Sequence, residues 1–277
     1  MRGIFACSRK DRLVSKAGTP YLALELRDRS GTIAARAFRD ADALAGRFDR
    51  GDLVRVGGRV ERFRDALQVD VRAIARTTPG EADPASFLPV AYRDMEELDG
   101  FLEHLAREVH DPGYRALLGR LLDDGDLRAR WRRAPCTRNG HHAYLGGLLE
   151  HTVAVATLAV ETCALHVRLN SDLLVTAALV HDLGKLDEFT LGGEIGLTEE
   201  GRLLGHVELG LRLLDERGRA VDGLDAGRRL ALAHCVLCHH GADAAPGRRF
   251  GSAEALALFR INALDGAVKE ALEHGLT

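Results

Sequence analysis

The sequence lacks the long apolar runs that would place it in a membrane. No stretch approaches the roughly 18 consecutive apolar residues that a membrane span requires, and the N-terminus has no apolar segment typical of a secretion signal. We therefore expect a cytoplasmic protein without membrane contact. Hydrophobic residues make up 46% of the 277 residues and charged residues 29%, a profile typical of a globular protein with a substantial core.

Cysteine is scarce and odd in number, and lysine is scarcer still. The five cysteines are scattered along the chain at Cys7, Cys136, Cys163, Cys235 and Cys238. This scatter argues against a disulfide framework and favours a reducing compartment. Four lysines stand against 34 arginines, and the sequence has no internal repeat and no low-complexity tract.

Charge is distributed unevenly along the chain. Residues 1–80 hold 17 Lys and Arg against 10 Asp and Glu, a net charge of +7. The remainder holds 21 against 31, a net charge of −10. The first segment is therefore suited to a polyanion, although an ordinary arginine-rich surface would give the same count.

Residues 1–78 have the pattern of a small β-barrel. Apolar residues alternate in 21–26, 32–38, 52–60 and 66–72, and turn residues separate these runs. Residues 41–48 are predicted as one short helix between strands. Four or five short strands suggest a closed barrel, because closure removes exposed sheet edges. Three prolines in the next segment, Pro79, Pro84 and Pro89, predict a linker over residues 79–93.

The period of the apolar residues changes to that of a helix from residue 94 to the end. Spacings of three and four residues predict seven helices. They cover residues 95–109, 112–122, 147–166, 172–181, 206–217, 226–239 and 253–274. The sequence thus predicts a multidomain protein, with a small all-β barrel at 1–78 followed by an all-α domain at 94–277.

Histidine and aspartate recur at the predicted helix ends. His151 lies early in one helix, His181 and Asp182 close another, and His206 begins a third. His239 and His240 end a fourth helix, and Asp265 lies in the last one. Imidazole and carboxylate ligands together suit divalent Mn, Fe, Co or Zn. Phosphate-ester hydrolysis uses such a centre, because a metal ion activates water and neutralises phosphate oxygens. One helical histidine alone would more often be a packed or solvated side chain.

This constellation resembles the H…H-D…D signature of the HD-domain phosphohydrolases. It is similar in particular to the YhaM-type 3′→5′ exoribonucleases, which join an N-terminal OB fold to an all-helical HD domain. The matching stretches are residues 141–151 (HHAYLGGLLEH), 181–185 (HDLGK), 203–206 (LLGH), 239–241 (HHG), 254–255 (EA), 264–265 (LD) and, in the barrel, 24–31 (LELRDRSG).

The resemblance implies a set of metal ligands. His151, His181 and Asp182 would bind one metal ion, and His206, His239 and His240 would bind a second. Lys185, beside the catalytic Asp182, would contact a phosphate or leaving-group oxygen. The implied cofactor is one or two divalent ions, Mn first, with Fe, Co, Mg and Zn as alternatives.

The sequence departs from the family pattern in the last helix. The family's terminal ligand aspartate lies eight residues after the Glu of the Glu-Ala pair, and from Glu254 that position is Asn262. Asparagine can coordinate through its carbonyl oxygen but carries no charge. Asp265 lies on the same helical face, so either Asn262 or Asp265 would complete the metal site.

Two groups of residues are candidates for nucleic-acid contact. In the barrel, Tyr21, Phe38 and Phe63 lie among arginines, as in OB folds that stack bases on aromatic rings, although the same rings could fill the barrel core. The second group includes Arg130, Arg132 and Arg133, which precede the first metal segment and could guide a phosphate backbone. A solvated basic loop is the alternative for these arginines.

The predicted function is that of a metal-dependent 3′→5′ exoribonuclease. It would hydrolyse single-stranded nucleic acid to nucleoside monophosphates, with RNA favoured over DNA and a homo-oligomer left open. One rival is an HD phosphohydrolase of small nucleotides, which would not need a strand-binding barrel. The other is a catalytically weak nucleic-acid-binding protein, which Asn262 makes plausible.

Overall fold

The computed structural model describes residues 1–78 and 80–275 and divides them into two compact units. The first unit comprises Met1–Pro89 together with Thr190–Gly196, and the second comprises Val90–Phe189 and the described residues from Leu197 onward. The units divide within the 79–93 segment predicted as a linker. Pro79 lies outside the described residues, as do residues 276–277 of the predicted 94–277 domain.

The first unit is built around a closed five-stranded barrel. Its strands are β1 (Arg2–Val14), β2 (Pro20–Asp28), β3 (Gly31–Ala37), β4 (Leu53–Phe63) and β5 (Ala66–Arg76), with helix α1 (Ala41–Ala45) between β3 and β4. The order around the barrel is β1-β2-β3-β5-β4, closed by antiparallel pairing of β1 with β4. The predicted barrel is therefore present, but the long strand β1 had not been delimited from the sequence.

The barrel closes because one face of each strand is apolar. In β2 the alternating Leu22, Leu24 and Leu26 are buried, and the facing strands contribute Val54, Val56, Val69 and Val71 to the same core. The large ring in this core is Phe48, which follows α1. The charged side chains between these positions remain on the outside.

A short hairpin from much later in the chain belongs to the barrel unit. Strands β6 (Phe189–Leu191) and β7 (Ile195–Leu197) form a two-stranded sheet, and Thr190–Gly196 is part of the first unit. The Gly193 N–H donates to the Gly51 carbonyl at 2.9 Å, and Arg27 donates to the Gly193 carbonyl at 2.8 Å. The all-α prediction for residues 94–277 did not include this hairpin.

The second unit is helical. Its helices are α2 (Met95–Arg107), α3 (Pro112–Leu122), α4 (Gly125–Arg133), α5 (Gly147–Leu165), α6 (Ser171–Val180), α7 (Lys185–Glu188), α8 (Glu199–Arg219), α9 (Ala226–Cys238) and α10 (Ala253–His274). All seven helices predicted from the sequence are present. The additional helical segments are α4, α7 and the first turns of α8. Helix α8 bends at Gly205 (φ 71°), and its second segment begins at His206.

Helix α5 lies in the core of the helical unit. Ten of its residues are buried, and it packs mainly against α6, α10 and α2. By length and composition α5 is apolar enough to cross a membrane, although the core helix of a soluble protein meets the same criterion. Its buried face carries Glu150 and His151, so the helix brings polar groups into the interior.

A close backbone approach fixes the turn that follows α6. A Cβ at Gly184 would collide with the backbone carbonyl of His206 and the backbone nitrogen of Gly210. The backbone at Gly184 has an ordinary helical conformation (φ −63°). Glycine is therefore required here by the contact with α8 and not by an unusual φ.

We predict that Gly184→Ala lowers the thermal unfolding midpoint of the helical signal. Forced overpacking typically costs about 1–3 kcal/mol, and each kcal/mol shifts the midpoint by roughly 2–4 °C in a domain of this size. The matched control is Gly119→Ala in α3, where a Cβ meets nothing within 4 Å. That change should stabilise by about 0.5–1 kcal/mol. Equal midpoints for the two variants would contradict the described packing.

Candidate metal centre

Histidine and carboxylate side chains from four helices or their ends converge in the second unit. His151 comes from the first turns of α5, and His181 and Asp182 lie where α6 ends. His206 follows the bend at Gly205, and His239 and His240 follow the end of α9. The side chains of His151, His181, Asp182 and His239 are at most 2% exposed.

The first group of ligand atoms surrounds one oxygen of Asp182. Asp182 Oδ2 lies 3.5 Å from His151 Nε2 and 3.3 Å from His181 Nε2, and these two nitrogens are 3.3 Å apart. Asn262 Oδ1, from α10, lies 3.0 Å from His151 Nε2. These atoms are close enough together for the group of His151, His181 and Asp182 to hold a metal ion.

The second group surrounds the other oxygen of the same carboxylate. Asp182 Oδ1 lies 3.5 Å from His206 Nε2 and 3.4 Å from His239 Nε2. His240 Nε2 lies 3.0 Å from His206 Nε2. Asp182, His206, His239 and His240 form a second potential metal-binding group. Asp182 therefore belongs to both groups, with one oxygen facing each.

The opposite ring nitrogens of the buried histidines have partners of their own. His181 Nδ1 donates to the Ala178 carbonyl at 2.8 Å, and His239 Nδ1 donates to the Val236 carbonyl at 2.6 Å. A hydrogen bond at Nδ1 fixes the tautomer in which Nε2 carries a free lone pair. These backbone contacts therefore prepare the Nε2 atoms to act as ligands.

Two buried atoms in the centre lack a hydrogen-bond partner. They are Asp182 Oδ1 and His239 Nε2. Most buried polar atoms in folded proteins have a partner, and a divalent cation at the second group would satisfy both. The donor set fits such an ion, because neutral imidazole and carboxylate are ligands for divalent transition metals.

The electrostatics of the centre favour the ligand forms of these groups. Burial alone would raise the pKa of Asp182, but Lys185 and His181 outweigh it and hold that pKa well below the ordinary value. Burial lowers the pKa of His151 to about 4 and, with the neighbouring His239, the pKa of His240 to about 3. At neutral pH the carboxylate is ionised and these imidazoles are neutral, as metal binding requires.

Lys185 lies inside the centre. Its Nζ donates to Asp182 Oδ2 at 2.7 Å and to Cys136 Sγ at 3.3 Å, and the side chain is buried. Burial opposes the ammonium form, but Asp182 and Cys136 together raise the lysine pKa above its ordinary value. Lys185 is therefore the cation that balances Asp182 in this structure.

The two candidates for the terminal ligand, Asn262 and Asp265, contact opposite ring nitrogens of His151. Asp265 Oδ2 contacts His151 Nδ1 at 2.7 Å and His142 Nε2 at 3.2 Å, so it lies behind His151, away from Asp182. Asn262 is the residue that reaches the Nε2 side. Its contact with Nδ1 positions Asp265 to orient His151, as partners of a ligand's second ring nitrogen do. Asp265 also forms a further potential metal-binding group with His142 and His151.

A buried polar network that the sequence analysis did not identify extends from Asp265. His142 contacts Tyr144 through its other ring nitrogen at 2.9 Å, and the Tyr144 hydroxyl donates to Glu150 at 2.8 Å. Lys269 donates to Glu150 at 2.9 Å. No single pattern in the sequence could have revealed this network, because its members come from α5, α10 and the loop before α5.

A cavity of about 740 Å³ opens over the centre. Lys185, His206, His239, His240 and Asn262 line it, together with His141, Glu188 and the rings of Phe189 and Phe259. This volume lies within the 300–1,000 Å³ typical of ligand sites. Polar groups from the centre and apolar rings therefore face the same space.

The three aromatic rings predicted for nucleic-acid contact lie on the barrel surface and not in its core. Phe38 and Phe63 are exposed, by 46% and 54%. Tyr21 is half-buried and stacks on Phe38, with ring centroids 5.2 Å apart. The Arg64 guanidinium lies over the Phe63 ring. The predicted contact of these rings with bases therefore stays a prediction, and the alternative that they fill the barrel core does not hold for Phe38 and Phe63.

Arg130 and Arg132, predicted to contact a phosphate backbone, form ion pairs within the protein. Arg130 is ion-paired with Asp187, and Arg132 with Glu96 and Asp99. They lie on helix α4, whose Trp131 is buried, so the segment is not a solvated loop. Arg133 also has an interaction partner. The ion pairs give Arg130 and Arg132 a structural role that competes with the predicted phosphate contact.

Comparison with known proteins identifies both parts of the chain. Residues 148–269 match the family model of the HD domain, and residues 8–75 match that of the OB-fold nucleic acid binding domain. These matches confirm the predicted fold class of an OB barrel followed by a helical HD domain, an architecture consistent with the YhaM type. An HD domain indicates a metal-dependent phosphohydrolase, and its combination with an OB fold suggests a nucleic-acid hydrolase.

Among solved structures, the chain is similar to the second OB-fold domain of replication protein A from Methanococcus maripaludis. The identity is 21%, the alignment covers 30% of this chain and 84% of that one, and the TM-score is 0.23.

We predict that Asn262→Asp tightens metal binding. The substitution adds an anion 3.0 Å from His151 Nε2, where the asparagine oxygen is neutral. Residues that contact a metal ligand without touching the ion typically change metal affinity by about 10–100-fold. A charge that touches the ion itself should therefore raise the Mn²⁺ affinity at least tenfold. Titration calorimetry with Mn²⁺ measures it. Unchanged affinity would show that residue 262 does not face the ion.

We predict that Asp265→Asn weakens metal binding by about 10–100-fold, the effect typical of a residue that orients a ligand histidine. The loss should be partly restored by Asn262→Asp in the same chain. Asp243→Asn, which removes an exposed carboxylate outside the two ligand groups, is the control. An Asp265→Asn variant that binds Mn²⁺ as tightly as the Asp243→Asn control would refute the orienting role.

Proposed function

We propose that this protein is a metal-dependent 3′→5′ exoribonuclease that releases nucleoside monophosphates from single-stranded RNA. The observation that carries the proposal is the carboxylate of Asp182, whose two oxygens face two groups of histidine Nε2 atoms beneath a cavity of nucleotide size. The OB-fold match supports a strand as substrate, and the resemblance to YhaM-type enzymes supports RNA and the 3′→5′ direction.

The proposed ligands divide into two sets. His151, His181 and Asn262 would hold one ion with Asp182 Oδ2, and His206, His239 and His240 would hold the other with Asp182 Oδ1. A bound divalent ion lowers the pKa of water and neutralises phosphate oxygens. Mn²⁺ is the proposed ion, and Fe²⁺, Co²⁺ and Zn²⁺ suit the same donors.

The chain's own residues would orient the substrate within the cavity. The Lys185 ammonium is fixed by Asp182 and would donate to an oxygen of the terminal phosphodiester. Phe259 and Phe189 supply apolar surface in the same cavity, on which the terminal base could stack. Because Lys185 is buried, its interaction with phosphate would be stronger than in water.

Two other functions have observations in their favour. The cavity has the volume of a site for one small molecule, which favours a phosphohydrolase of small nucleotides. The neutral Asn262 beside His151 favours a weakly catalytic nucleic-acid-binding protein. Exposed Phe38 and Phe63 on the barrel favour a strand over a small nucleotide.

The decisive test incubates the purified full chain with Mn²⁺ and RNA or DNA single strands labelled at the 5′ end. The proposal expects stepwise shortening from the 3′ end, mononucleotide products and faster hydrolysis of RNA. Asp182→Asn, which removes the charge shared by both groups, should abolish this activity. Hydrolysis of small nucleotides but not of strands would support a phosphohydrolase of small nucleotides. Strand binding without hydrolysis, whichever of the named metals is added, would support a weakly catalytic nucleic-acid-binding protein.

We predict that Phe38→Ala and Phe63→Ala each weaken binding to a 20-nucleotide strand, since a stacked base contributes about 1–3 kcal/mol. Hydrolysis of a small phosphodiester should be unchanged, because the barrel rings are not among the metal groups. Fluorescence anisotropy gives the affinity, and Phe101→Ala, an exposed ring of the helical unit, is the control. Affinities equal to that of the control would exclude stacking at these rings.

A further inference from the structure

A second pocket lies on the barrel, apart from Tyr21, Phe38 and Phe63. Its volume is about 490 Å³. The start of β1, the end of α1, the first half of β4 and the last residues of β5 form its walls. The buried side chains of Leu44, Val56 and Ile74 lie at its base, and Gly57, Ala73 and Ala75 are small enough to leave the space above them open.

The charged side chains that line this pocket are mostly of one sign. Arg2, Arg47, Arg55 and Arg72 face it, against the single carboxylate of Asp40. Arg55 is ion-paired with Glu81. Within residues 1–78 and 80–275, the structure gives Arg2, Arg47 and Arg72 no carboxylate partner, in contrast to Arg9, Arg12, Arg50 and Arg76 of the same unit.

The position of Arg72 is built into the sheet. Strands β4 and β5 pair Gly57 with Ala73 and the next residue, Gly58, with Val71. Arg72 therefore has no partner on β4 and forms a β-bulge. Such a bulge redirects a side chain, and bulges are over-represented at barrel rims and beside active sites. Gly58 permits it, because a Cβ there would lie 2.5 Å from the Asp70 carbonyl oxygen.

We propose that this pocket binds phosphate groups of a single-stranded nucleic acid, as a second contact surface of the barrel. Guanidinium groups match phosphate oxygens with paired hydrogen bonds, and three of them here have no internal anion. A strand that stacks on the exposed rings would therefore have a separate anchor for its backbone. The inference rests on the proposed function in taking a nucleic-acid strand as the partner.

The test measures anisotropy of a labelled 20-nucleotide strand with the full chain and a chelator, between 50 and 200 mM salt. Arg2→Gln and Arg72→Gln each remove one phosphate contact, so each should lower the slope of log affinity against log salt by about 0.7. At 0.1 M salt this slope corresponds to about a fivefold loss of affinity. Arg29→Gln, an exposed arginine of the β2–β3 turn outside the pocket, is the matched control.

One substitution should act in the opposite direction. Asp40→Asn removes the single carboxylate of the pocket and should raise strand affinity severalfold. Asp40 has a left-handed backbone (φ 52°) and makes no capping hydrogen bond, and asparagine tolerates that conformation. Inorganic phosphate and a nucleoside monophosphate, added as competitors, separate a site for strand backbone from one for free nucleotides.

Each outcome has a defined meaning. Losses with Arg2→Gln and Arg72→Gln but not with Arg29→Gln, weak competition by mononucleotide and tighter binding by Asp40→Asn support the proposal. Equal slopes for the wild type and the Arg2→Gln, Arg72→Gln and Arg29→Gln variants overturn it. Stronger competition by inorganic phosphate or mononucleotide than by unlabelled strand also overturns it. If the wild-type chain binds no strand, this proposal and the strand substrate both fail. If the pocket variants lose affinity but no hydrolysis occurs with metal, only the nuclease proposal fails.

Discussion

The structure of the helical unit depends on one buried carboxylate. Asp182 is 2% exposed, and burying an ionised group is costly unless other charges and hydrogen bonds compensate. Lys185 supplies the opposite charge to Oδ2, while Oδ1 faces His206 and His239. The end of α6, the bend at Gly205 and the end of α9 all place groups around this carboxylate. The ends of α6 and α9 and the bend in α8 thus all lie beside one ionised residue.

The same constraint explains why Gly184 and Gly205 matter. Gly184 lets the turn after Asp182 lie against the backbone of α8, and Gly205 adopts a φ of 71° that allows α8 to restart at His206. Glycine is the residue that meets either requirement at little steric cost. Both glycines also lie in the stretches on which the resemblance to the YhaM-type enzymes rests. Part of the sequence pattern that resembles the family therefore reflects backbone packing around the metal centre, and not the metal ligands themselves.

Much of this architecture could be predicted from sequence because the signals are local. Apolar periodicity located the seven helices, and the helix-end positions of His151, His181, Asp182, His206 and His239 pointed to their convergence. The ion pairs of Arg130 and Arg132 could not be predicted, since their partners Glu96, Asp99 and Asp187 are more than 30 residues away. Helix α4 was missed because only Leu127 and Trp131 carry its buried face. The contacts of Asn262 and Asp265 with different ring nitrogens of His151 could not be predicted, because spacing gives a helical face but not which nitrogen a side chain meets.

The hairpin at Thr190–Gly196 has a consequence for the order in which the protein is made. The barrel strands end at Arg76, but Gly193, which bonds to Gly51 and Arg27, follows more than 100 residues later. Synthesis at about 5–20 residues per second separates the two by roughly 6–23 seconds. During that interval a nascent barrel would have the Gly51 carbonyl and the Arg27 guanidinium without these partners. Asp182 leaves the ribosome shortly before the hairpin. The N-terminal unit can therefore be completed only after much of the helical unit, up to the metal-centre residue Asp182, has been synthesised.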